Sequence, residues 1–139
     1  MPASLGVHSI WQFSSIVTII MGYKTITPSP RTYIGWGSVE KLGAEIQNFG
    51  DRILIVADPV LKKIGVLDSI IEAIGTTGFH CDVYTDIIPE PLLETGEKLV
   101  AFARKGNYTL VVGIGGGSAL DMAKLAAVFS GNPGEIKDY

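Results

Sequence analysis

The run Ile53-Leu54-Ile55-Val56-Ala57 sets five apolar side chains in a row with no polar residue between them. A strand with one wet face alternates, so an unbroken run this short, closed by Asp58-Pro59, reads as a parallel strand covered on both faces. Tyr108 to Ile114 predicts a second buried strand, and His80 to Tyr84 a shorter one. Parallel neighbours cannot be joined by a tight hairpin, so each needs a crossover helix. The chain between the runs supplies the helical spacing.

Ser38 is the expected N-cap of a helix whose apolar positions are Val39, Leu42, Ile46 and Phe49. Val66, Leu67, Ile70, Ile71 and Ile74 mark one stripe of the next helix, which stops at Gly75 to Gly78. After the rigid corner Pro89-Glu90-Pro91, Leu92 to Lys105 reads as an amphipathic helix with Leu92, Leu99, Val100 and Ala103 inward. Gly106-Asn107 closes it. Ala119 to Phe129 is apolar almost all round, which predicts a buried helix. Ahead of all these, Thr32 to Gly37 reads as a strand closed by glycine. The order of elements points to an α/β fold, a parallel sheet with helices on both faces.

Composition narrows the function classes. Hydrophobic residues make 47% of the 139 and charged residues 18%, which excludes a disordered chain and provides for a core. A net charge of −3 with no basic patch argues against nucleic acid as partner. The single cysteine, Cys81, rules out an internal disulfide framework, and the isolated His8 and His80 form no zinc cluster. A cytoplasmic protein is expected. Residues 1–21 form an apolar extension, and residues 22–139 the α/β domain. Met1 to Ile20 carries no charge, but its apolar stretch is broken by polar residues and is shorter than the roughly 20 residues a bilayer span needs. No basic leader or cleavage site marks it as a secretion signal. An upstream extension without functional role, Met21 marking the true start, is the reading taken; a weak membrane or partner-binding segment is the rival.

Glycine is over-represented, at 17 residues against an average usage of about 7%. The informative cluster is Gly113-Ile114-Gly115-Gly116-Gly117-Ser118-Ala119-Leu120-Asp121-Met122-Ala123-Lys124, between a buried strand and a buried helix. Bare peptide N–H groups at a helix start, with the positive end of the helix dipole behind them, suit phosphate or pyrophosphate. A Walker loop is excluded, since no Lys follows Gly117. The dinucleotide fingerprint with glycines at first, third and sixth positions fails at Ser118. The acid that fingerprint wants downstream is found upstream instead: Asp58 closes a strand whose C-terminal end shares the loop's sheet edge. Asp58 and the loop could hold the two ends of one adenosine diphosphate moiety.

Plainer roles stand beside these. The glycines could form only a tight turn, Asp58 could be a turn-former before Pro59, and Lys124 a solvated surface residue. Ser118 and Asp121 fit reciprocal capping of the helix start.

The segment Gly115 to Lys124 resembles the signature of the iron-containing (group III) alcohol dehydrogenases. Tyr33-Ile34-Gly35-Trp36-Gly37, Asp58 with Lys62-Lys63-Ile64-Gly65-Val66, and Pro89-Glu90-Pro91 are similar to the same family in the same order. The resemblance runs from about Lys24 to Tyr139. Glycerol dehydrogenases and dehydroquinate synthases share the fold but vary the residues after the glycines. It implies a Rossmann-like cofactor domain of a metal-dependent NAD(P) oxidoreductase that interconverts alcohols and aldehydes or ketones.

Within that resemblance Gly115, Gly116, Gly117 and Ser118 would hold the pyrophosphate. Asp58 would bind the adenosine ribose and favour NAD over NADP, and Asp121 would lie near the nicotinamide. Leu92 stands where the family often has Thr or Ser. Family members continue into a second, helical domain whose Asp and His bind iron or zinc, and that domain and its ligands are lacking in this sequence. A piece unable to oxidise alcohols alone is expected, with an apolar face left open; a homo-oligomer belongs to the full enzyme. The alternative is a nucleotide-binding fragment without catalysis.

Overall fold

The computed structural model describes residues 17–20, 23–26, 33, 35–47, 49–75, 78–89 and 92–138. Expectations placed on residues 1–16, Thr32, Ile34, Glu90 and Pro91 lie outside the described residues. The chain divides into two compact units, residues 1–38 and 39–139.

In the first unit, β1 (Val17–Ile20) pairs antiparallel with β2 (Tyr23–Ile26), Ile20 opposite Tyr23. The strand expected up to Gly37 is not formed by its described C-terminal residues. Gly35 and Gly37 take φ of +140° and +75°, and the Ser38 N–H donates to the Gly35 carbonyl at 3.3 Å. Left-handed backbone at two of three residues turns the chain and cannot continue a pleated strand.

The second unit is built around a three-stranded parallel sheet in the order β4 (His80–Tyr84), β3 (Arg52–Ala57), β5 (Leu110–Ile114). Its helices are α1 (Leu42–Ile46), α2 (Pro59–Lys63), α3 (Val66–Gly75), α4 (Leu93–Gly106) and α5 (Gly117–Gly131). The unbroken apolar run is explained by its central place. Leu54 and Val56 pack in one cluster with Leu99 and Ala103 of α4 and Ala119, Met122, Ala123 and Ala126 of α5. Ile53, Ile55 and Ala57 pack on the other face with Ile46 of α1 and Leu67, Ile70 and Ile74 of α3. All five residues from Ile53 to Ala57 are fully excluded from solvent. Burying each large side chain contributes about 1.5–3 kcal/mol.

Several local expectations are corrected. Ser38 caps no α-helix: Ser38–Lys41 is a 3-10 turn, and α1 runs only from Leu42 to Ile46. Ile46 is therefore buried while Val39 and Phe49 are exposed. Val66 is exposed because Gly65, at φ +78°, breaks α2 from α3 and leaves Val66 in the first turn. Leu92 precedes the first turn of α4 in extended conformation and is 66% exposed, against the inward position expected. Tyr108 and Thr109 precede β5, since Asn107 takes the left-handed conformation (φ +50°) that ends α4. Helix α5 is longer than expected and buries one face, with Leu120, Asp121 and Lys124 exposed. Its buried residues are mainly alanines, which let it approach the sheet closely.

Two tie points hold the edge away from the loop. The Arg104 guanidinium donates to the carbonyls of Phe129, Asn132 and Gly134 at 3.0, 2.9 and 2.6 Å, closing the end of α5 against α4. The Tyr108 hydroxyl donates to Asp82 Oδ2 at 2.9 Å. Burial, then that hydrogen bond and the Asp82 charge, push the Tyr108 phenol up to about 12. Because this lies above the ordinary value of about 10, the stabilisation is complete below pH 10 and is lost as pH rises through 12. Urea denaturation of the wild-type chain should show stability falling across that window, and Tyr108→Phe should show a flatter profile. Equal slopes would remove Tyr108 from the alkaline response.

Candidate functional site

The C-terminal ends of β3 and β5 lie side by side, Ala57 opposite Ile114. Asp58 follows the first and Gly115 the second, and the Asp58 N–H donates to the Ile114 carbonyl at 3.0 Å. The strand-end acid and the glycine loop, 57 residues apart in sequence, are thus neighbours. Asp58 also has a local job. Its Oδ1 accepts from the Val60 N–H at 2.8 Å, capping α2 with Pro59 at the helix start. One carboxylate oxygen is engaged there, and an ionised carboxylate keeps acceptor capacity on the other.

Gly116 is the N-cap of α5, with φ −80° and ψ −170° and no side-chain cap. Its carbonyl accepts from the Leu120 N–H at 3.1 Å, the first bond of the helix. The amides of Gly117, Ser118 and Ala119 have no carbonyl four residues back within the helix. With the dipole of a fifteen-residue helix behind them, these donors suit an anion. Methyl groups built on Gly116 or Gly117 would meet nothing within 4 Å, so both glycines face open space where a side chain would stand. Gly113 serves packing: a methyl there would lie 2.8 Å from Ala123 Cβ and hold α5 off the sheet.

The other marked residues fall around this start. Ser118 is half-buried in the first turn, and Asp121 is exposed one turn on. The reciprocal cap expected of the two is not formed. The N-cap place belongs to Gly116, which has no side chain, and Asp121 Oδ1 instead accepts from Lys124 Nζ at 3.0 Å. That pair is more than half exposed on both sides and contributes little to stability. His80 and Cys81 begin β4 at the opposite end of the sheet. Ala119, buried beneath the loop, was not singled out by sequence. Its only signal was a small residue directly after the glycines and Ser118.

Residues 29–139 match the profile of the family described as iron-containing alcohol dehydrogenase. The chain belongs to that family. It is 48% identical over 120 residues to long-chain-alcohol dehydrogenase 1 of Geobacillus thermodenitrificans, covering 86% of this chain and 30% of that protein. Among solved structures it resembles NADH-dependent butanol dehydrogenase A of Thermotoga maritima (TM-score 0.69, 32% identity, 75% of this chain and 27% of the other). It also resembles sulfoacetaldehyde reductase of Bifidobacterium kashiwanohense in complex with NAD+ (TM-score 0.65, 29% identity, 76% and 28%). The chain spans under a third of the length of each of these three relatives.

The cofactor groups implied by this family fit the described residues unequally. The open, uncapped helix start beside a carboxylate fits a dinucleotide. Among the described residues no three His, Cys, Asp or Glu gather as metal ligands. No helix among them is long and apolar enough to cross a membrane.

Proposed function

We propose that this chain is the cofactor-binding part of an NAD-dependent alcohol dehydrogenase that interconverts alcohols and aldehydes or ketones by hydride transfer. The observation that carries the reading is the uncapped start of α5, open at Gly116 and Gly117 and directly beside Asp58. In this reading the first-turn amides from Gly117 onward receive the pyrophosphate, and Ser118 adds its hydroxyl. Asp58 accepts from the adenosine ribose hydroxyls. Its negative charge disfavours a 2′-phosphate, hence NAD over NADP. Asp121, one turn into α5, faces the nicotinamide end. The nicotinamide, when bound, supplies the hydride acceptor and donor.

The relative crystallised with NAD+ supports the cofactor assignment. The substrate class rests on the family. The chain by itself is expected to bind the dinucleotide without turning over alcohols.

Isothermal titration calorimetry of the 139-residue chain with NAD and NADP tests the reading. NAD binding that exceeds NADP binding is the expected outcome, and Asp58→Asn should narrow the gap between them. Absence of NAD binding would overturn the reading. Metal-dependent turnover of simple alcohols by this chain would overturn the claim that it only binds.

A further inference from the structure

The three adjacent glycines do not share one task. Gly116 and Gly117 face open space, whereas a methyl group on Gly115 would lie 2.8 Å from Asp58 Cβ, 3.0 Å from Ala119 Cβ and 3.4 Å from the Asp58 backbone nitrogen. The first two distances are well inside the roughly 3.5–4.0 Å at which carbon atoms pack. Gly115 also takes φ +141°, a backbone region that only glycine enters without strain. This residue therefore points inward, into the junction between the end of β3 and the first turn of α5. There the Asp58 N–H is hydrogen-bonded to the Ile114 carbonyl, and the Asp58 carboxylate is fixed by the Val60 amide. The position that a Gly115 side chain would take is thus within 3.0 Å of both the Asp58 stem and Ala119.

Resting on the dinucleotide reading above, we propose that Gly115 is a positioning residue and not a phosphate contact. Its missing side chain seats Asp58 against the start of α5. The carboxylate and the first-turn amides are thereby held beside one another, where one nucleoside diphosphate can meet both. Any side chain at 115 pushes Asp58 away from the start of α5, and charge-assisted hydrogen bonds weaken quickly with distance and misalignment. The effect on the ligand passes through Asp58, so it vanishes when Asp58 no longer contributes. This separates Gly115 from Gly116 and Gly117, whose outward faces meet the ligand directly.

A double-mutant cycle on NAD affinity tests the proposal, with folding of each variant checked by circular dichroism. Asp58→Asn keeps an oxygen for the Val60 amide and removes the charge, and should weaken NAD about tenfold. Gly115→Ala should weaken it by a similar factor. The double variant should also lie about tenfold below wild type, not the hundredfold of independent effects. If Gly115→Ala does not fold, Ala119→Val crowds the same junction from the helix side, leaves residue 115 untouched and should show the same coupling to Asp58→Asn.

Additive losses, or wild-type affinity in Gly115→Ala, would overturn the proposal while leaving NAD binding intact. Absence of binding by the wild-type chain would instead strike the functional reading on which it rests.

Discussion

Gly116→Asp is expected to make the protein more stable and to weaken NAD binding about a hundredfold or more. Residue 116 is the N-cap of α5, and its φ of −80° and ψ of −170° suit any L-residue. A methyl group there meets nothing within 4 Å, so a side chain enters without crowding. An aspartate at that place accepts from the first-turn amides and complements the helix dipole, together about 0.5–1 kcal/mol. The melting temperature should rise by about 2–6 °C. The same carboxylate occupies the donors that the pyrophosphate needs and repels its charge. Losing two charge-assisted hydrogen bonds, at about 1.5–3 kcal/mol each, lowers NAD affinity about a hundredfold or more. Thermal unfolding and calorimetry on one preparation read both effects. Unchanged affinity would take the helix start out of the cofactor site, and a lowered melting temperature would contradict the open N-cap. On this view the best capping residues are absent because they would compete with the ligand, an exchange of stability for function.

Leu54→Ala and Ile55→Ala should each destabilise the protein by about 2–5 kcal/mol. Both side chains are fully buried, and whole domains have on the order of 5–15 kcal/mol to lose. The two neighbours face opposite ways. Leu54 packs with α4 and α5, Ile55 with α1 and α3. Amide hydrogen exchange should therefore show Leu54→Ala loosening the Leu99 and Met122 region first, and Ile55→Ala the Leu67 and Ile74 region. A cost below about 1 kcal/mol in urea denaturation, or the same exchange pattern for both, would contradict a sheet covered on two faces.

Much of this architecture was legible before any coordinates. A strand buried on both faces has to be apolar at every position, and Ile53 to Ala57 shows that directly. Buried faces of α3 and α4 were visible through Leu67, Ile70 and Ile74 and through Leu99, Val100 and Ala103, because helical periodicity is a local property. Reading errors gathered at element ends. Leu92 and Val66 fit the apolar stripe of their helices but stand in or before a first turn, where the stripe has not yet met the core. Ser38 fits a cap, yet the turn after it is 3-10. Reciprocal capping by Ser118 and Asp121 failed for a similar reason. The helix begins two residues earlier than the pattern suggested, with Gly116 in the capping place and Asp121 paired to Lys124.

From the sequence alone came the parallel α/β class, the glycine loop between strand and helix and the acid at the end of an earlier strand. These rest on composition and spacing within short windows, where hydrophobic burial and backbone freedom leave their mark residue by residue. Only the tertiary structure decided which glycine does what. Gly115, Gly116 and Gly117 are indistinguishable as letters. One meets Asp58 and Ala119 where its side chain would stand, and the other two meet open space. That difference is made by β3 pairing with β5, a contact across 57 residues that no local pattern records.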